Sequence, residues 1–215
     1  MYDCFVFDLD GTLLHTLPDL ADSTNAVLRQ MGYPQRSEEQ ILHYIGDGAR
    51  RLLYQAVPAT ATREDAERAL QLWQQLYPQQ GYPKTKPFDG IEETLAELKA
   101  RGIRLGVLSN KFDKPAKENI ARFLPGIFDV VYGERLGIPR KPDPTALCAL
   151  IEELGSVPER TVYVGDSAAD MQVAHNAGAF ALGVSWGYNQ VSALQAAGAD
   201  MVAQHPAQMI DLIEG

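Results

Sequence analysis

The 215-residue chain has two cysteines, Cys4 in an apolar run and Cys148 in a helical pattern, too few for a disulfide framework. A Cys4–Cys148 bridge is the sharper reading; two buried free thiols are the plainer one and are preferred. Positive charge is also short: 19 basic against 28 acidic residues leave a net charge of −9, which argues against nucleic acid or an anionic membrane as partner. No apolar run is long enough to span a bilayer. The N-terminus lacks the basic region, long apolar stretch and small-residue cleavage site of a signal peptide, so a cytoplasmic compartment is expected. The four histidines, His15, His43, His175 and His205, fall in no metal-ligand spacing. There is no internal repeat and no low-complexity tract.

What is present begins at the N-terminus. The apolar run Cys4-Phe5-Val6-Phe7 leads into Asp8-Leu9-Asp10-Gly11-Thr12-Leu13. In an extended strand, residues i and i+2 share a face, so Asp8 and Asp10 leave on the same side. Paired acids at the end of an apolar strand repel, so one is protonated or a cation sits between them; hard oxygen ligands of this kind suit Mg²⁺. An ordinary Asp/Gly surface turn is the alternative for this stretch alone.

Residues 15–82 read as helices without a convincing strand: 17–31, a short helix from the Ser37-Glu38-Glu39-Gln40 capping box to 45, 49–57 after the Gly46-Asp47-Gly48 break, and a longer one capped by Thr62 and running to 75. Pro78, Gly81, Pro83 and Pro87 form a linker-like patch. Beyond it, predicted strands at 103–108, 128–132, 161–164, 180–184 and near 201–202 alternate with helices. Unbroken apolar strands in such alternation indicate an α/β fold with a parallel sheet covered on both faces. The helical block is then an insertion after the first strand, dividing the chain into 1–14 with 83–215, and 15–82.

Ligands bind beyond the carboxyl ends of strands in open parallel sheets. The polar residues expected there are Asp8 and Asp10, Ser109 and Asn110, and Asp166 with Asp170, with Lys141 in the loop Arg140-Lys141-Pro142-Asp143-Pro144. This set resembles the haloacid dehalogenase superfamily of aspartate-nucleophile phosphatases. Its four motifs occur in order: Asp8-Leu9-Asp10-Gly11-Thr12-Leu13, Ser109, Lys141-Pro142, and Gly165-Asp166-Ser167-Ala168-Ala169-Asp170. The resemblance implies a Rossmann-like core and identifies the insertion as similar to that family's C1 cap. Shorter strings, Tyr44-Ile45-Gly46-Asp47-Gly48-Ala49, Ser109-Asn110-Lys111 and Gly183-Val184-Ser185-Trp186-Gly187-Tyr188-Asn189, are similar to phosphoglycolate phosphatases.

On this reading Asp8 is the nucleophile and Asp10 the general acid and base. Asp8, Asp10 (through its main-chain oxygen) and Asp166 hold Mg²⁺. Ser109 and main-chain N–H groups near Asn110 hold the phosphoryl oxygens, and Lys141 offsets the crowded negative charge. Asp170 orients Lys141 or a metal-bound water. Thr12 either touches substrate or only caps its turn; Gly46 and Arg50 are candidate contacts from the cap, with a solvated helix face as the alternative for Arg50. The expected substrate is a small phosphorylated metabolite, with no nucleic-acid or membrane partner, acted on by a monomer or homodimer. A dehalogenase, a β-phosphoglucomutase-like transferase, a pyrophosphatase or nucleotidase, and a phospho-aspartate receiver domain are the competing readings. Asp10 counts against the first and the last.

Overall fold

The computed structural model describes residues 1–214. In chain order its elements are β1 (Cys4–Phe7), β2 (Leu14–His15), α1 (Leu17–Gln30), α2 (Glu38–Leu42), α3 (Gly48–Ala56), α4 (Arg63–Gln79), β3 (Lys86–Pro87), α5 (Ile91–Ala100) and β4 (Arg104–Phe112). They continue as α6 (Asp113–Phe123), β5 (Val130–Glu134), α7 (Thr145–Glu153), β6 (Thr161–Gly165), α8 (Ala168–Ala177), β7 (Phe180–Val184), α9 (Val191–Ala196), β8 (Met201–Ala203) and α10 (Asp211–Glu214). The chain divides into two compact units, one of Met1–Leu14 with the chain from Pro87 onward, the other His15–Lys86.

The first unit is built on a six-stranded parallel sheet in the order β5-β4-β1-β6-β7-β8. Alternate side chains serve opposite faces. Phe5, Phe7, Leu105, Val107, Val162 and Val164 pack with Ile91, Leu95 and Leu98 of α5 and Ile120 of α6. Val6, Leu108, Tyr163 and Ala181 pack on the other face with Leu147, Leu150 and Ile151 of α7 and Met171 and Ala174 of α8. Both faces are therefore dry, which is why the strands read as unbroken apolar runs. The two cysteines are free, but only Cys4 is buried. Cys148 is exposed because α7 buries Ala146, Leu147, Leu150 and Ile151, a helical spacing that turns position 148 outward. Burial pushes the Cys4 thiol up to about 11, so it stays protonated and inert.

The second unit is helical. Ser37 and Thr62 open α2 and α4 with reciprocal capping boxes, Thr62 using Asp65. Helix α4 runs past the expected stop at 75 and carries Pro78 within its last turn. Trp73 and Tyr77 hold that turn together, stacked with ring centroids 4.4 Å apart, and the Trp73 indole N–H donates to Ser23 Oγ of α1 at 3.0 Å. The unit ends at Lys86 rather than 82 because buried Asp19 fastens the returning chain to α1. Its carboxylate accepts from the main-chain N–H groups of Lys84 and Thr85 and from the Thr85 hydroxyl. β2 and β3 form a separate two-stranded pair. Among the described residues, no helix is long and apolar enough to cross a membrane.

Candidate active site

The sheet's register brings the chemistry-bearing residues to one rim. Phe7 lies level with Val107 of β4 and Val164 of β6. Asp8 and Asp166 thus emerge just past the ends of β1 and β6, and Ser109 lies in the last part of the adjacent β4. The Asp8 N–H still donates to Val164 O at 2.9 Å, so the sheet itself fixes where the carboxylate starts.

β4 continues to Phe112, beyond the expected end at 108. Its pairing with β5 slips between Leu108, opposite Tyr132, and Phe112, opposite Glu134. This irregularity contains Ser109, Asn110 and Lys111, and a bulge of this kind re-aims side chains beside a site. The Lys111 N–H donates to Ser109 Oγ at 3.2 Å, a contact that leaves the hydroxyl proton for another acceptor. Asn110 uses its side-chain amide on Lys141, accepting from the Lys141 N–H at 3.0 Å and donating to the Lys141 carbonyl at 3.4 Å. The expected phosphoryl contact is through main-chain N–H groups; the Asn110 side chain clamps the loop that delivers Lys141.

Lys141 is buried among oxygens. Its Nζ lies 2.7 Å from Asp170 Oδ1, 2.9 Å from Asp8 Oδ1 and 2.9 Å from the Tyr163 hydroxyl. That hydroxyl donates to Leu108 O at 2.9 Å. Burial alone would lower the ammonium's pKa; Asp170 and Asp8 outweigh it and hold the pKa well above the ordinary lysine value. Asp170 is the fully buried hinge of this arrangement. Its other oxygen, Oδ2, accepts from the N–H and hydroxyl of Ser167, while Ser167 Oγ accepts from the Asp170 N–H, a capping box that starts α8. The cap and the contact with Lys141 are thus made by one side chain.

Asp166 accepts from the Thr12 hydroxyl at 3.2 Å and from the Tyr188 N–H at 2.7 Å. Thr12, expected among the substrate contacts, is fully buried and positions Asp166. The loop after β7 can press against Asp166 only because position 187 has no side chain: a Cβ there would lie 2.2 Å from Asp166 Cβ and 2.6 Å from Gly11 O. Gly11 is equally constrained, at φ 87° with any Cβ 2.5 Å from Asp166 Oδ2.

The Asp10 carboxylate turns to Lys111, whose Nζ lies 3.0 and 3.3 Å from its two oxygens. Asp10 is accordingly not among the carboxylates that gather within reach of one ion. Those are Asp8, Asp166 and Asp170, buried, with one oxygen of each inside a 4.8 Å circle. Asp170 is paired with the ammonium of Lys141 and capped by Ser167, whereas Asp166 is held only by the neutral donors of Thr12 and Tyr188, which leaves Asp8 and Asp166 as the better ligands. Asp8 Oδ1 has no hydrogen-bond partner among the described residues; its approach to Lys141 is an ion pair outside hydrogen-bonding angles. Burial pushes Asp8 up to about 6 against the pull of Lys141, and burial with Asp170 and Asp8 pushes Asp166 up to about 8. An orphaned carboxylate oxygen beside a second costly carboxylate is a donor set suited to a small divalent cation.

These shifts carry a sign. Between the ordinary aspartate value of 3.8 and about 8, the folded protein holds protons on Asp166, and up to about 6 on Asp8, that the unfolded chain has released. Stability of the metal-free protein therefore falls as pH rises through that window. A cation that binds the ionised pair reverses the loss. Thermal scans without metal should give a lower Tm at pH 8 than at pH 5, and added MgCl₂ should raise it by more than about 5 °C at pH 8 with little effect at pH 5. A response to MgCl₂ that is equal at both values would disprove the pairing of these two acids.

In the helical unit, Gly46 has φ 113° with open space where a Cβ would project. Arg50 forms an ion pair with Glu67, which also accepts from the Tyr54 hydroxyl at 2.5 Å, and Arg51 pairs with Asp47 at 2.8 Å. Arg50 is thus engaged by a carboxylate of its own unit.

Lys111, Tyr163 and Tyr188 are site residues that the sequence motifs do not single out. Tyr163 left a signal, since a phenol inside an apolar strand needs a buried partner. Lys111 left one too, as a lysine two residues after the hydroxyl of Ser109. For the Tyr188 N–H no sequence signal exists, because a main-chain group carries no residue identity.

Comparison with known proteins agrees with the geometry. The family model for haloacid dehalogenase-like hydrolases matches residues 5–184. A phosphoglycolate phosphatase of Vibrio parahaemolyticus serotype O3:K6 is 33% identical over 96% of this chain and 94% of its own length. One from Aquifex aeolicus is 30% identical over 97% and 95%. A crystal structure from Lactobacillus delbrueckii subsp. bulgaricus, provisionally named a phosphoglycolate phosphatase, superposes with a TM-score of 0.91 at 29% identity, covering 99% of this chain and 98% of that one.

Proposed function

Because the chain belongs to the haloacid dehalogenase-like hydrolase family, we propose that it is a Mg²⁺-dependent phosphatase that hydrolyses a small phosphate monoester, 2-phosphoglycolate, through an aspartyl-phosphate. The observation that carries the reading is the setting of Asp8: a buried carboxylate with a hydrogen-bond-free oxygen, faced by the ammonium of Lys141 and neighboured by Asp166. The names of the relatives support the choice of substrate.

An Asp8 oxygen attacks phosphorus and the bond from phosphorus to the ester oxygen breaks, giving the aspartyl-phosphate. Asp10 gives its proton to the departing alkoxide, then takes one from the water that attacks the acyl-phosphate, releasing phosphate and restoring Asp8. Ser109 and the N–H groups of the β4 bulge hold the phosphoryl oxygens, and Lys141 keeps Asp8 ionised as the dianion approaches. Mg²⁺, held by Asp8 and Asp166 with Asp10, would neutralise charge on the phosphoryl group. Asn110, Thr12, Tyr163 and Asp170 position the groups that react. The unit His15–Lys86, which contains Gly46 and Arg50, corresponds to the cap of this family.

A panel of phosphate esters assayed for phosphate release with and without Mg²⁺ tests the reading. Turnover should be highest with 2-phosphoglycolate and fall at least about 100-fold after chelation. Equal rates with and without the metal would refute the metal dependence; isomerised product without released phosphate would point to a mutase.

A further inference from the structure

Lys111 is, with Lys141, one of two buried lysines, and the only one the proposed chemistry leaves without a task among the described residues. Lys141 is committed to Asp8, Asp170 and Tyr163, on the side of the nucleophile. Lys111 is paired with a different acid: its side chain is 3% exposed and its ammonium contacts both oxygens of Asp10, to which the proposed mechanism gives the leaving oxygen. Burying an ammonium is costly unless carboxylates compensate it, and here Asp10 does so.

We infer that Lys111 is a specificity-determining residue, receiving the substrate's own carboxylate so that the site selects phosphate esters of short hydroxy acids. The inference rests on the phosphatase reading above. In such esters the carboxylate is joined to the ester oxygen through a single carbon, so it departs beside Asp10. Ser109, which holds the phosphoryl oxygens, and Lys111 belong to the same β4 bulge and are joined there by the Lys111 N–H, so one irregular segment carries both groups. An ammonium's donors rotate about the terminal C–N bond, and Lys111 serves Asp10 and a second carboxylate from one position.

The test compares 2-phosphoglycolate with n-propyl phosphate, of similar shape but without the carboxylate, using the full chain with Mg²⁺. Lys111→Met should lower kcat/KM for 2-phosphoglycolate about 100-fold more than for n-propyl phosphate, the excess arising mostly in KM, while any loss that acts through Asp10 falls on both esters alike. Lys111→Arg should recover part of the preference. Lys111→Gln, which keeps a donor for Asp10, should lose selectivity as the Met variant does and serves if that variant fails to fold. A parallel fall for both esters would mean that Lys111 acts only through Asp10 and would overturn the inference, as would unchanged selectivity. Wild-type protein that hydrolyses both esters equally would overturn it together with the 2-phosphoglycolate assignment, while leaving the phosphatase intact.

Discussion

Asp8→Asn is expected to lower kcat by at least about 10⁴-fold, with the protein still folded. The amide keeps the shape of the carboxylate but is not a nucleophile toward phosphorus. The fold should tolerate the change for an electrostatic reason. Asp8 is buried, and burial holds its pKa up at about 6, so its ionised form weakens the native state above that pH. Removing the charge costs an ion pair with Lys141, but Asp170 remains 2.7 Å away as counter-ion. At pH 8 the metal-free variant should therefore melt no lower than the wild type, and its response to MgCl₂ should shrink because one ligand is gone. Steady-state phosphate release with parallel thermal scans checks both statements. Turnover within tenfold of wild type would show that another residue makes the bond to phosphorus.

Lys141→Met is expected to lower kcat/KM by about 10³-fold and to move the acid limb of the pH–rate profile upward. The side chain is 3% exposed and is the cation nearest to Asp8 and Asp170. Without it the remaining buried acids compensate one another poorly, so Asp8 holds its proton to higher pH and fewer molecules carry the nucleophile at neutrality. Breaking a buried pair by removing one partner costs about 3–5 kcal/mol, so Tm should fall as well. Lys141→Arg should not restore activity, because a planar guanidinium cannot replace a compact ammonium aimed at Asp8, Asp170 and Tyr163 together. A lower rate with an unshifted pH profile would show that Lys141 contributes contact rather than charge.

Much of this arrangement was legible before the coordinates. The unbroken apolar strands announced a sheet dry on both faces. Helix α8 and strand β7 fall at the expected residues because Ser167 and Gly178 punctuate the helix and the strand is apolar throughout. What escaped depended on contacts distant in sequence. Strand β4 was expected to stop where its apolar run stops, at Leu108, yet it pairs through the polar Ser109–Lys111 bulge. Residues 83–86 look like linker because nothing local reveals that Asp19 claims the N–H groups of Lys84 and Thr85. Thr12 and Asn110 are legible as site residues, but their side-chain partners are not. Each has a partner more than thirty residues away, Asp166 and Lys141 respectively, which spacing within a motif cannot disclose.

The double engagement of Asp170 ties local folding to competence. One oxygen initiates α8 and the other counterbalances Lys141, so fraying of that first helical turn removes the counter-ion at the same moment. Amide protection at the start of α8 and readiness of the nucleophile should then rise and fall together, as readouts of a single cooperative opening. The enzyme cannot loosen this helix start without disarming itself.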